Sequence, residues 1–248
     1  MPVAVNRIAA FAVDSALPAL GRALWPARCL VCGERGHARR DLCPPCSDAL
    51  PWNRSACAQC AIPLPMAAGP ADAGQACGQC LRRPPPLHAA HAACRYDFPV
   101  DRLLPRFKFH HDLAAGRLLA QLMAEAFATL QRPQALIPIP LHLSRLRSRG
   151  YDQALELARP LARTLQIPLH DGVLQRTRAT APQSELSAIA RRRNLRGAFV
   201  VCGAAALPAH VALVDDVMTT GATVHAAAKA LRRAGVQRVD AWVCARVP

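Results

Sequence analysis

The sequence predicts an α/β protein: a mainly parallel sheet flanked by helices, preceded by a small cysteine-rich module without a core of its own. Three observations predict it. Short β-branched runs alternate with amphipathic helical stretches from Ala92 to the end. Eight of the 11 cysteines fall in four C-x-x-C pairs, all before Leu81. One apolar run, Val211-Ala-Leu-Val214, leads through two acids into a Thr/Gly turn and a helix.

The chain has 248 residues, of which 52% are hydrophobic and 4% aromatic. That suffices for one core, made mostly of Ala, Leu and Val, with room for a smaller module. Lys and Arg number 31 against 16 Asp and Glu, a formal net charge of +15. The surplus favours polyanions: a polyphosphate ligand, nucleic acid or an anionic membrane face. The plainer reading is a solvated basic surface on an Ala/Arg/Pro-rich chain. No apolar run approaches the roughly 18 residues of a membrane span. Ile8, Phe11, Ala12, Leu17, Leu20 and Leu24 line one side of an amphipathic helix. Residues 1–28 are therefore expected to form a packing or peripheral helix rather than an export signal.

The C-x-x-C pairs are Cys29/Cys32, Cys43/Cys46, Cys57/Cys60 and Cys77/Cys80. Such a turn aims two thiolates at one ion, and two turns complete the tetrahedral shell of zinc. Eight ligands predict two structural Zn²⁺ sites in residues 29–86. Sequential pairing groups Cys29, Cys32, Cys43 and Cys46, then Cys57, Cys60, Cys77 and Cys80; an interleaved cross-brace uses the same residues. Metal binding would contribute on the order of 10 kcal/mol per site, replacing the missing core. Closed thiolate shells are structural rather than catalytic, and they imply a reducing compartment, the cytoplasm. Peripheral contact with the inner face of its membrane is the alternative. Cys94, Cys202 and Cys244 stand alone and read as small packing residues.

Arg82-Arg-Pro-Pro-Pro86 reads as a stiff linker, after which residues 87–248 form the α/β domain. Ala92 to Phe98 is a short strand. Leu113 to Leu130 is a helix with Leu118, Leu119, Leu122, Met123 and Phe127 on one face. Ala135 to Ile139 is a buried strand, and Asp152 to Leu165 a helix. Phe199 to Val201 and Val211 to Val214 are short strands. Thr223 to Ala234 is a helix stopped by Gly235, and Val236 to Val247 returns as a strand.

In open parallel sheets, ligands bind at the carboxyl ends of strands. Asp215 and Asp216 stand at one such tip, followed by Thr219-Thr-Gly-Ala-Thr223. A small-residue turn entering a helix exposes backbone N–H groups that favour an anion. Thr219, Thr220 and Thr223 add hydroxyls, and Gly221 lets backbone approach closely. The acids suit a vicinal diol or water around a divalent ion. Together these pieces describe a cradle for a sugar phosphate.

The string resembles the PRPP-binding motif of type I phosphoribosyltransferases. Pro138-Ile-Pro-Leu-His142 with Arg145 to Ala154, Gln183-Ser-Glu-Leu186 with Arg191-Arg-Arg-Asn194, and Phe107-Lys-Phe109 resemble the ComF family of competence-associated proteins. So do the double zinc-ribbon cysteines. Tyr151-Asp152 stands where that family usually has Phe-Asn. The resemblance implies a type I phosphoribosyltransferase-like fold and assigns roles. Asp215 and Asp216 would hold the ribose hydroxyls. Thr219, Thr220, Gly221, Ala222 and Thr223 would hold the 5-phosphate. Arg145, Arg147, Arg149 and Gly150 would neutralise pyrophosphate, with Lys108 as a further phosphate contact. Residues 176–196 would form a hood, and Mg²⁺ would bridge the ligand's own oxygens. Three functions follow: a phosphoribosyl transferase, a sensor of PRPP or a nucleotide, and a factor handling single-stranded DNA with the competence machinery.

Overall fold

A computed structural model describes residues 27–37, 40–65, 75–177, 197–203 and 207–248. Nearly all of the helix expected over residues 1–28, and the hood beyond residue 177 up to 196, lie outside the described residues. The chain divides into two compact units, Met1–Asp48 and Ala49–Pro248.

In the first unit, short antiparallel bridges pair Arg28 with Arg35 and His37 with Arg40, followed by helix α1 (Pro44–Asp48). The second unit begins with the second cysteine group and helix α2 (Gly78–Arg82). Its backbone joins directly to strand β1 (Ala89–Arg95). The Ala90 N–H donates to the Ala58 carbonyl at 2.8 Å, Asn53 to Ala93 at 3.1 Å and Arg95 to Pro51 at 2.8 Å.

Strand β1 is the edge of a parallel sheet with β2 (Ala135–Pro138), β5 (His210–Met218) and β6 (Arg238–Arg246), in the order β1-β6-β5-β2. Every pairing in it is parallel. Helices α3 (Val100–Phe109) and α4 (Leu113–Phe127) carry the chain from β1 to β2. Helices α5 (Leu143–Arg149) and α6 (Gln153–Leu165) follow β2, and α7 (Ala222–Arg233) links β5 to β6. A separate antiparallel pair, β3 (Leu174–Arg176) with β4 (Phe199–Val201), stands off the sheet.

Burial explains why these runs are strands and helices. All four residues of β2 are buried, as a strand covered on both faces requires. On one face Val211, Leu213, Val239, Ala241 and Val243 pack with Val224, Ala227, Ala228 and Leu231 of α7. The same cluster takes in Leu174, Phe199 and, from the cysteine-rich segment, Ala61. On the other, the Trp242 ring meets Phe127 of α4 at 5.0 Å. Leu118, Leu119, Leu122, Met123 and Phe127 are all buried, the face that the 3.6-residue period singled out.

The differences from expectation lie at boundaries. The first strand begins at Ala89 and ends at Arg95, because its register with β6 runs from Ala89↔Asp240 to Arg95↔Arg246. Strand β3 and helices α3 and α5 have weak sequence signals. Helix α3 contains Pro105, and α5 has no buried residue.

Gly116 sits where α4 crosses α3, and a Cβ there would lie 2.6 Å from Cδ2 of the fully buried Phe107. Gly116→Ala is expected to cost about 1–3 kcal/mol by overpacking, despite the better helix propensity of alanine. Thermal denaturation checks this; an unchanged or higher Tm would show that the α3–α4 contact yields without cost.

Candidate functional site

Strand β5 does not stop at Val214. It runs to Met218, pairing Asp215 with Val243, Val217 with Ala245 and Met218 with Arg246. The two acids therefore lie within the strand rather than beyond its tip. Side chains alternate across a strand, so adjacent residues face opposite sides of the sheet. Asp216, 8% exposed, faces α3, where its Oδ2 accepts from Lys108 Nζ at 2.9 Å. Burial works against the Lys108 charge, but the Asp216 carboxylate outweighs it and holds the ammonium above its usual range. Lys108 is thus engaged by an acid of the same site.

Asp215 keeps some exposed surface yet is surrounded by protein. Burial, reinforced by the neighbouring Asp216 charge, pushes its carboxyl up to about 8; Lys108 opposes the shift. Its Oδ1 accepts from the Asp216 N–H at 2.8 Å. Arg176 of β3 lies within reach of the Asp215 charge as well. Burial and the charge of Arg145 pull the Arg176 guanidinium below its usual range, while Asp215 opposes that. Arg176 also lies 5.5 Å over the Phe199 ring.

The turn after β5 exposes Thr219 and Thr220, with Ala222 and Thr223 half-buried and Gly221 buried. Gly221 has φ 74° as the N-cap of α7 and brings no capping side chain. A Cβ there would meet Met218 Cε at 2.7 Å and His225 Nε2 at 2.9 Å. Both conformation and space require glycine. The Thr220 hydroxyl accepts weakly from the Ala222 N–H at 3.4 Å.

Arg145, Arg147 and Arg149 lie on helix α5, which His142 begins by accepting from the Ser144 N–H and Gly150 ends with φ 73°. Arg145 and Arg149, four residues apart, share a helix side and are half-buried; Arg147 is exposed. Burial and the neighbouring Arg149 charge lower the Arg145 guanidinium. Arg149 Nη1 donates to Gln153 Oε1 at 3.0 Å, and its guanidinium lies 5.2 Å over the exposed Phe109 ring. Asp152 is a positioning group that sequence reasoning passed over. Its Oδ1 caps α6 through the Leu155 N–H at 3.2 Å, and its Oδ2 accepts from the Leu141 N–H at 2.8 Å. It ties the end of β2 to the start of α6.

The cysteines assemble sequentially. In Cys29, Cys32, Cys43 and Cys46, and again in Cys57, Cys60, Cys77 and Cys80, the four Sγ atoms lie within 4.8 Å of one another. Cys32 Sγ is 3.5 Å from Cys43 Sγ, and Cys60 Sγ is 3.7 Å from Cys77 Sγ. Tetrahedral zinc–thiolate geometry sets sulfurs about 3.8 Å apart, so both quartets fit Zn²⁺. Burial opposes ionisation of Cys29 and Cys57, yet backbone N–H donors bring them to about 6 and about 7. For Cys57 one donor is the Cys77 N–H, 3.2 Å from its sulfur. In the same quartets burial and the neighbouring thiols push Cys46 and Cys80 well above the usual thiol range, so one thiol of each quartet ionises far more readily than another. Cys94 and Cys244 are wholly buried and Cys202 partly, as packing residues should be.

No helix among the described residues is long and apolar enough to cross a membrane. The family described as "Double zinc ribbon domain" matches residues 20–81. The chain is similar to "Competence protein F" of Haemophilus influenzae, 36% identical over 88% of this chain and 96% of that protein. It is 37% identical to "DNA utilization protein YhgH" of Salmonella typhimurium, over 83% of this chain and 90% of the other. A more distant relative is "Competence protein ComFC" of Streptococcus pneumoniae, 25% identical over 61% and 65% of the two chains. Similarity at this level along nearly the whole length, with both cysteine quartets in place, shows that the chain belongs to the ComF family.

Proposed function

We propose that the carboxyl end of β5 binds PRPP, or a closely related phosphorylated ribose, together with Mg²⁺. One observation carries the reading: a strand bearing Asp215 and Asp216 passes into a glycine-capped helix entrance, with Lys108 paired to Asp216 and Arg176 within reach of the Asp215 charge. The ribose diol would meet Asp215 and Asp216, and the 5-phosphate would sit against Thr219 to Thr223. Arg145 and Arg149 would face the pyrophosphate, with Arg147 adding charge from solvent. Gly150 would let the chain turn away from it. Lys108, already on Asp216, would hold that carboxyl in place and exchange towards phosphate when a ligand arrives. A protonated Asp215 donates as well as accepts, which matches a hydroxyl that does both. Mg²⁺ would ride on the ligand's own oxygens, adding charge neutralisation to that of the arginines.

Catalysis would be phosphoribosyl transfer. The C1–oxygen bond to pyrophosphate breaks, a bond from an acceptor nucleophile to C1 forms, and the acceptor's proton passes to solvent. The cations would stabilise the departing pyrophosphate. In the cell we place this activity in competence and DNA uptake, in keeping with relatives called a competence protein and a DNA utilization protein. A second reading, direct contact with single-stranded DNA, is favoured by the net charge of +15. It predicts affinity that falls steeply with added salt, measured by fluorescence anisotropy on an oligonucleotide. No binding at low salt would remove it.

Two outcomes test the ribose site. Asp215→Ala with Asp216→Ala should weaken PRPP binding with Mg²⁺ by roughly a hundred-fold, the loss of hydrogen bonds to one neutral and one charged carboxyl. Titration calorimetry reads this, and unchanged affinity would sink the assignment. The second outcome concerns pH. A folded Asp215 that titrates near 8 rather than 3.8 keeps its proton after the unfolded chain has lost it. Its contribution to stability is therefore full in acid and is lost as pH rises through about 8. The Tm of the natural protein should drop more from pH 5 to pH 8 than that of Asp215→Asn. Parallel slopes would show that Asp215 titrates normally.

A further inference from the structure

Arg246, the last residue of β6, is 8% exposed, one of few charged side chains so deeply buried. Its guanidinium bridges two segments far apart in sequence. Nε donates to the Cys60 carbonyl at 2.9 Å, and Nη1 donates to the Met218 carbonyl at 3.1 Å. Nη1 also donates to the Val247 carbonyl, and the Val247 N–H returns to Met218 at 3.1 Å. Cys60 is a ligand of the second quartet. Met218 is the last residue of β5, and Thr219 opens the turn directly after it.

We propose that Arg246 couples the second zinc centre to the phosphate-holding turn. The inference rests on the reading of Thr219 to Thr223 as that turn. Metal in the Cys57, Cys60, Cys77 and Cys80 quartet fixes the Cys60 backbone. The Cys60 carbonyl fixes one edge of the guanidinium, and the rigid planar fork fixes Met218. Electrostatics favours the arrangement. A zinc ion with four thiolates carries a net charge of about −2, which makes a guanidinium its natural neighbour. The surrounding chain is built to hold the bridge. Ala61 belongs to the core cluster shared by β5, β6 and α7, and Asn53 Nδ2 donates to the Ala61 carbonyl at 2.9 Å. The second ribbon is thereby a structural support of the ligand turn, and Arg246 is a positioning residue that touches no ligand.

Hydrogen–deuterium exchange on the full chain tests the coupling through peptides covering residues 218–223. Removing zinc with a chelator should speed exchange in that segment roughly ten-fold, the effect of one lost charge-assisted hydrogen bond. Helix α4 should stay protected. Arg246→Gln should reproduce the change with both zinc ions still bound, counted by metal analysis. Arg246→Lys, with charge but no fork, should fall between. PRPP affinity should fall in step with exchange rather than with zinc content. If residues 57–80 lose protection while residues 218–223 do not, the coupling is wrong; loss throughout α4 also refutes a specific tie. The chelation arm needs no variant, so a misfolded Arg246→Gln leaves the answer intact. A chain that shows the coupling but binds no PRPP would keep this inference and remove the ribose assignment.

Discussion

The parallel pairing of β5 with β6 is the constraint on which the site depends. Register runs without a break from His210↔Arg238 to Met218↔Arg246. Because the strand continues through the acids, its alternation assigns Asp216 to the α3 side and Asp215 to the other. Because it ends at Met218, the turn and the entrance of α7 fall at the carboxyl edge of the sheet, the ligand-binding edge of such folds. A one-residue slip would exchange the two acids and part Lys108 from its carboxylate.

Around that strand the protein gathers charge in a water-poor place. Lys108, Arg145, Arg149 and Arg176 come from three different elements, and Asp215, Asp216 and Asp152 stand among them. Lys108 and Asp216 form a direct ion pair in this group. Breaking one partner of such a pair is costly because the other charge stays buried. Asp215 answers burial differently, by keeping its proton. Two adjacent carboxyls thus have different electrostatic characters, one balanced by a cation and one neutralised by hydrogen.

The cysteine quartets have the same internal plan and different settings. The first belongs to the Met1–Asp48 unit and is closed by short bridges of its own. The second belongs to the unit that carries the sheet, with Ala58 bonded to Ala90 and Cys60 to Arg246. A segment with few large apolar residues is held by metal geometry on one side and by backbone pairing on the other.

The sequence alone determined what depends on local spacing. Four identical C-x-x-C gaps are a metal signal because two thiols per turn converge on one ion. The helical faces of α4 and α6 and the Thr219–Thr223 motif were legible because 3.6-residue periodicity and small-residue turns are local properties. The tertiary structure decided what depends on distant partners. Strand ends at Ala89 and Met218 are set by register with β6, so the acids' place within β5 could not be read from its own residues. Lys108 on Asp216 spans 108 positions, and the Arg246–Cys60 contact spans 186. No periodicity encodes such pairs; they form only when tertiary packing brings the two residues together.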